Sequence, residues 1–169
     1  MRNALLLSLL LCGATAVAGA QASQARVSGV LTCPKPSVNE MGGDGNQMIM
    51  FSKTTCTWST PLVLAGSKST TATDVEIGDM NGSTGRGHGF SFSAMDNGDT
   101  VVTRYEGTVS MKKDGAASFK GTWRFVRGTG KFAGISGGGT YSGTGNDNGG
   151  TVNTTGHYTI SSGKAKKSM

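Results

Sequence analysis

Residues 119–125 read FKGTWRF, so Phe119, Gly121, Trp123 and Phe125 alternate with Lys120, Thr122 and Arg124. A period of two is the signature of a strand with one apolar and one wet face. The same alternation recurs along the chain. Val75 and Ile77 alternate with Asp74 and Glu76, and His88, Phe90 and Phe92 share one parity. Val101, Thr103, Tyr105 and Val109 share another, and Val152, Thr154, Tyr158 and Ile160 close the series. Between these segments stand turn clusters: Asp96-Asn97-Gly98-Asp99, Lys112-Lys113-Asp114-Gly115 and Gly145 to Gly150. Asn-Gly tolerates positive φ at little cost, which makes the first of them a strong hairpin turn. No window past the first residues has helical periodicity.

Seven to nine short strands joined by Gly, Asn and Asp turns predict an all-β sandwich or barrel. The glycines favour a small antiparallel closed barrel of about eight strands. Gly107, Gly121, Gly134 and Gly156 recur in the later segments, where glycine permits the bends that a small barrel needs. Closure also removes the edges that such register-weak strands would expose. Pro61 interrupts the run holding Trp58, Leu62 and Leu64, and proline cannot donate to a sheet ladder. An edge or a bend is expected there.

The start of the chain reads as an address. Arg2 precedes an apolar run over residues 4–12, followed by the small-residue sites Ala18-Gly19-Ala20 and Ala20-Gln21-Ala22. Residues 1–22 are therefore expected to be a signal peptide, with ordinary cleavage favoured over lipidation at Cys12 because Leu11 precedes it. Residues 23–169 are expected to form one exported domain, periplasmic or secreted, with a short basic disordered tail at about 163–169. The full chain carries 16 basic and 10 acidic side chains. Arg2 belongs to the leader and Lys164, Lys166 and Lys167 to the tail, so the body is close to neutral and nucleic acid is not an expected partner. No membrane span is expected in the mature form. A lipid-facing barrel is disfavoured because the aromatics form no paired girdles.

With Cys12 in the leader, Cys33 and Cys56 remain, and an oxidising compartment makes a disulfide between them the default. Neither has a second ligand at metal spacing, and the two histidines lie on different segments, so no metal or other cofactor is expected.

Residues 128–137, GTGKFAGISG, resemble the GGTGxFxGAxG signature of the allene oxide cyclase and dirigent-type barrels, departing from it at Arg127 and at Ile135-Ser136. The likeness extends over residues 100–160. It implies an eight-stranded, calycin-like barrel whose apolar lumen receives small hydrophobic molecules. No catalytic residue of either plant enzyme group maps onto a position here. The same run fails as a phosphate loop, because Phe125 and Phe132 stand where a Walker loop needs glycine and a hydroxyl residue.

The expected lumen residues are Phe90, Phe92, Tyr105, Phe119, Trp123, Phe125 and Tyr158, since rings offer large apolar area with few rotamers. His88 shares parity with Phe90 and Phe92 and is the candidate general acid or base near one mouth. Its plainer reading is a histidine held by a carbonyl or exposed. Arg104 and Glu106 read as an exterior charge pair, and Asp74 and Glu76 are placed outside with them. No G-x-S-x-G elbow surrounds any serine. Asn81-Gly82-Ser83 and Asn153-Thr154-Thr155 fit the glycosylation sequon. The expected partner is a small hydrophobic molecule. Three functions stay open: a lumen-binding protein, a cyclase or isomerase, and a structural envelope protein with a filled barrel.

Overall fold

The computed structural model describes residues 24–161. The expected signal peptide and basic tail lie outside the described residues. Ten strands follow in order: β1 (Ala25–Pro34), β2 (Ser37–Gly42), β3 (Gln47–Thr60), β4 (Val63–Leu64), β5 (Ser67–Asn81), β6 (Thr84–Met95), β7 (Thr100–Met111), β8 (Ala117–Gly128), β9 (Ile135–Asn146) and β10 (Gly149–Ile160). Eight of them close an antiparallel barrel in the order β1-β10-β9-β8-β7-β6-β5-β3, with β3 pairing β5 on one side and β1 on the other. The all-β closed barrel expected from alternation and glycine content is the fold observed.

The β1–β3 seam is the shortest. Only Val30, Leu31 and Thr32 pair across it, with a bulge after Val30. The Pro34-Lys35-Pro36 kink then interrupts the ladder, because proline brings no N–H. β2 resumes beside β3 from Ser37 to Gly42. Cys33 and Cys56 stand next in this register and are joined as a disulfide. The covalent link therefore sits where the hydrogen-bonded seam stops.

One end of the barrel is packed solid. After the bend at Pro61, β4 turns back beneath the strands through Ala65-Gly66 and inserts Leu64, which is fully buried. The run that resembles the family signature supplies the other half of this plug. β8 ends at Gly128, a 3₁₀ turn covers Gly130–Phe132, and Phe132 is 0% exposed. Gly130 and Gly134 have φ of 49° and 79°, the left-handed region where a Cβ is disfavoured. Asp99 clamps the corner, accepting from the Thr129 hydroxyl at 3.3 Å and the Lys131 amide at 3.2 Å. Leu62, Leu64, Met95, Val101, Phe125, Phe132 and Ile135 make this core, with Trp123 above them.

The strand glycines make room inside the barrel. Several face inward beneath a ring from a neighbouring strand. A Cβ at Gly89 would stand 2.9 Å from the Tyr105 hydroxyl, one at Gly121 2.7 Å from Tyr141 Cε1, and one at Gly156 2.7 Å from Trp123 Cζ2. Gly143 likewise underlies Phe119. A side chain at any of these glycines would collide with the ring, so its absence makes room for four large aromatics inside the barrel. Gly134 belongs to the corner, outside any strand.

Candidate functional site in the lumen

Above the plug the lumen opens into a cavity of about 430 Å³. Its mouth is lined by Pro34, Pro36, Met50, Met80 and Met111, its middle by Phe119, Tyr105, Tyr141 and Trp123. Methionine is unbranched and adaptable, so the mouth presents a deformable apolar lip.

The polar part of the cavity is concentrated on β5 and its neighbours. Asp74 is directly opposite Thr54 of β3 and Ser91 of β6, and Ser91 is opposite Thr103 of β7. Glu76 is opposite Ser52 and Gly89, and Gly89 is opposite Tyr105. Side chains directly opposite on paired strands share a face. One wall therefore carries two carboxyls in a field of hydroxyls. Gly78, Gly87, Gly107 and Gly121 lie side by side across β5 to β8 and clear the space in front of it. The Glu76 carboxylate leans over Gly87 and the Tyr141 hydroxyl over Gly107. Tyr105 and Tyr141 meet edge to face with centroids 6.0 Å apart.

Burial dominates the electrostatics. Desolvation pushes Asp74 up from 3.8 to about 6, with the Ser91 hydroxyl pulling it back down. Desolvation also raises Glu76, while the Tyr105 hydroxyl lowers it, the Asp74 charge raises it further and His88 outside the wall lowers it. Both phenols are raised for the same reason, Tyr141 to about 12, with Glu76 and Asp74 adding to the effect. At neutral pH the phenols are donors, and the carboxyls hold protons more tightly than exposed ones do. Asp74 Oδ1 and the Trp58 indole N–H are buried without a hydrogen-bond partner.

Cys33, Cys56 and Asp74 bring ligating atoms within 4.8 Å of one another. Because the sulfurs are bonded to each other, only the carboxylate retains a ligating charge. The cluster is a disulfide lying against a carboxyl.

Tyr105, Phe119 and Trp123 line the cavity as expected. Phe125 and Tyr158 lie deeper, in the plug. Phe125 is a core residue stacked edge to face on Trp123, and the Tyr158 hydroxyl accepts from the Ala65 amide at 2.7 Å. Phe90 and Phe92 require correction: they face outward at 41% and 40% exposure, and His88 is exposed on the same pleat. The reason is one residue of register. A two-residue Asn97-Gly98 turn would pair Asp96 with Asp99 and place Phe90 opposite Tyr105. Instead the Met95 amide donates to Asp99, the Gly98 amide to Met95, and only Gly98 has positive φ. This three-residue loop puts Gly89 opposite Tyr105 and Phe90 opposite Arg104. A one-residue slip exchanges the two faces of a strand. His88 is therefore no lumen acid or base, and β6 presents Gly85, Gly87, Gly89, Ser91 and Ser93 inward.

The same logic corrects Asp74 and Glu76, which belong to the lumen wall, while Arg104 and Glu106 are exposed as expected. The register of Asn81 with Thr84, set by the Gly82-Ser83 turn, carries the signal that was missed. It places Glu76 on the face of Gly89 and hence of Tyr105. Tyr141 and Trp58 were also missed. His157 and both sequon asparagines are exposed.

No family model matches the chain, and no curated protein does.

Proposed function

We propose that this protein is an exported barrel that binds a small, mainly apolar molecule in its lumen. The observation that carries the reading is the cavity itself. A volume of about 430 Å³ lies within the range of small-molecule sites, whereas many small barrels fill their interior with side chains. The adaptable methionine mouth and rigid aromatic middle suit an apolar body, and the convergent polar wall suits an orienting head group. Export rests on the leader-like residues 1–22, and the cystine is consistent with an oxidising compartment. Membership of the allene oxide cyclase and dirigent-type barrels rests on residues 128–137 and remains part of the proposal.

The test is saturable fluorescence enhancement of diphenylhexatriene, a neutral dye that is bright only in apolar surroundings. One site per chain is expected. Gly78→Leu, which adds bulk beside the adaptable Met50, should abolish it. Absence of enhancement, or enhancement indifferent to Gly78→Leu, would sink the reading.

A second reading, a cyclase or isomerase, is favoured by the raised carboxyls. A carboxyl held near neutrality by burial is suited to general acid–base catalysis. Its residues would be Asp74, Glu76 and Tyr105.

A further inference from the structure

The lumen wall also specifies what kind of head group it fits. Asp74 and Glu76 are two residues apart on β5 and both face inward, which spaces their Cα atoms by about 7 Å. Asp74 Oδ1 is a buried acceptor with no donor on it. The groups facing this pair come from every surrounding strand. They are Ser52 and Thr54 on β3 with the Cys56 sulfur, Ser91 on β6, Tyr105 on β7 and Tyr141 on β9. None is cationic. Arg86 borders the cavity but belongs to the outward, exposed pleat of β6, as does His88. Among the described residues the wall therefore holds two acids and no internal counter-ion.

Building on the lumen-binding reading, we propose that the natural ligand class is an apolar molecule bearing a protonated amine, its ammonium lodged between Asp74 and Glu76 against the phenols of Tyr105 and Tyr141. An ammonium carries three donors and no acceptor, which suits two carboxylates and the unpartnered Oδ1. The faces of the tyrosine rings add attraction for a cation in a desolvated site. An anionic head would face two carboxyls without a cation to offset it. A neutral hydroxyl satisfies one acceptor and neutralises nothing. Burial raises both carboxyls and a seated cation lowers them again, so near pH 6, where Asp74 titrates, binding releases protons to solvent.

Isothermal titration with octylamine, 1-octanol and octanoate at pH 6, in two buffers of different ionisation heat, tests this directly. Octylamine should bind at least tenfold more tightly than either analogue, and its apparent enthalpy should shift between buffers in the sense of proton release. Asp74→Asn and Glu76→Gln should each weaken octylamine at least tenfold while leaving 1-octanol within twofold. An amine that binds no better than the alcohol, or a preference that survives both substitutions, overturns the ammonium site. If diphenylhexatriene still binds in that case, lumen binding stands without it. If no probe binds, both fall.

Discussion

The carboxylate of Glu76 occupies the space over Gly87 of the adjacent strand, where a Cβ would stand 2.6 Å from Oε1. The obstacle there is the end of a flexible side chain. Gly87→Ala is therefore expected to swing Glu76 aside at a cost under about 1 kcal/mol. Gly107 lies beside Gly87 in the same row, but its Cβ would meet the Lys120 carbonyl and the Tyr141 hydroxyl, and neither yields easily. Gly107→Ala should cost about 1–3 kcal/mol by overpacking. Urea unfolding of the two variants measures the contrast. Equal losses would mean that the glycine row is not a seat for the polar wall.

The inward and outward faces of β6 invite a second comparison. Phe92 lies outside and Phe125 lies in the plug. Phe92→Ser should change stability by no more than about 1 kcal/mol and leave diphenylhexatriene binding intact. Phe125→Ser empties a packed site and buries a hydroxyl, so it should cost about 3–5 kcal/mol. A large loss of dye binding in Phe92→Ser would contradict the register of the β6–β7 hairpin.

That hairpin shows how far the fold was legible. Alternation, turn clusters and glycine content define an antiparallel barrel because each is a local property of the chain. The facing of a strand is different, since it depends on whether a loop contains two residues or three. Asn97-Gly98 suggests a two-residue turn, yet Asp96 joins the loop and every side chain of β6 changes sides. Ring content pointed to Phe90 and Phe92, while the space inside favoured the small residues Gly87, Gly89 and Ser91, over which Glu76 and Tyr105 extend. The usual rule of burial assigns charged Asp74 and Glu76 to water. The seats provided by the facing glycines become visible only when four strands are in register.

The buried acid gives stability an unusual pH dependence. Asp74 titrates at about 6 in the folded chain and at its ordinary value of 3.8 when unfolded. Between these values the native state binds more protons than the unfolded state, so stability falls as pH rises through the window. Two units correspond to on the order of 3 kcal/mol, and Glu76, raised for the same cause, acts in the same direction. Denaturation at pH 4 and pH 7 should show the wild type losing stability relative to Asp74→Asn/Glu76→Gln as pH increases. A wild type that loses nothing relative to the double variant would place the carboxyls in water.

The disulfide bridges 23 residues of sequence at the seam where only three pairs hold β1 to β3. Constraining a loop of that length contributes on the order of 3 kcal/mol in the chain-entropy model. Cys33→Ser/Cys56→Ser should therefore lower unfolding stability by about that amount, with the earliest hydrogen exchange along β1 and β2 rather than β7 and β8. Unchanged stability after reduction would show that the seam holds without it.

The plug turn carries the last prediction. Ala65 has φ of 46°, the one positive value outside glycine among the described residues, and it precedes Gly66 at the tip of the β4–β5 hairpin. Its amide donates to the Tyr158 hydroxyl at 2.7 Å and its carbonyl accepts from Lys131 Nζ at 3.1 Å. Both polar groups of a disfavoured backbone are thus held from outside the hairpin. A left-handed residue with a Cβ costs about 1–2 kcal/mol, and glycine returns part of that gain through chain entropy, about 0.5–1 kcal/mol. Ala65→Gly should therefore raise stability by roughly 0.5 kcal/mol. Tyr158→Phe should lower it by about 1 kcal/mol by removing the acceptor. If Tyr158 holds the strained turn in place, its removal should cost less in the Ala65→Gly background, where the turn keeps its shape unaided. A double-mutant cycle with no coupling would show that the hydroxyl anchors the plug without sustaining the backbone strain.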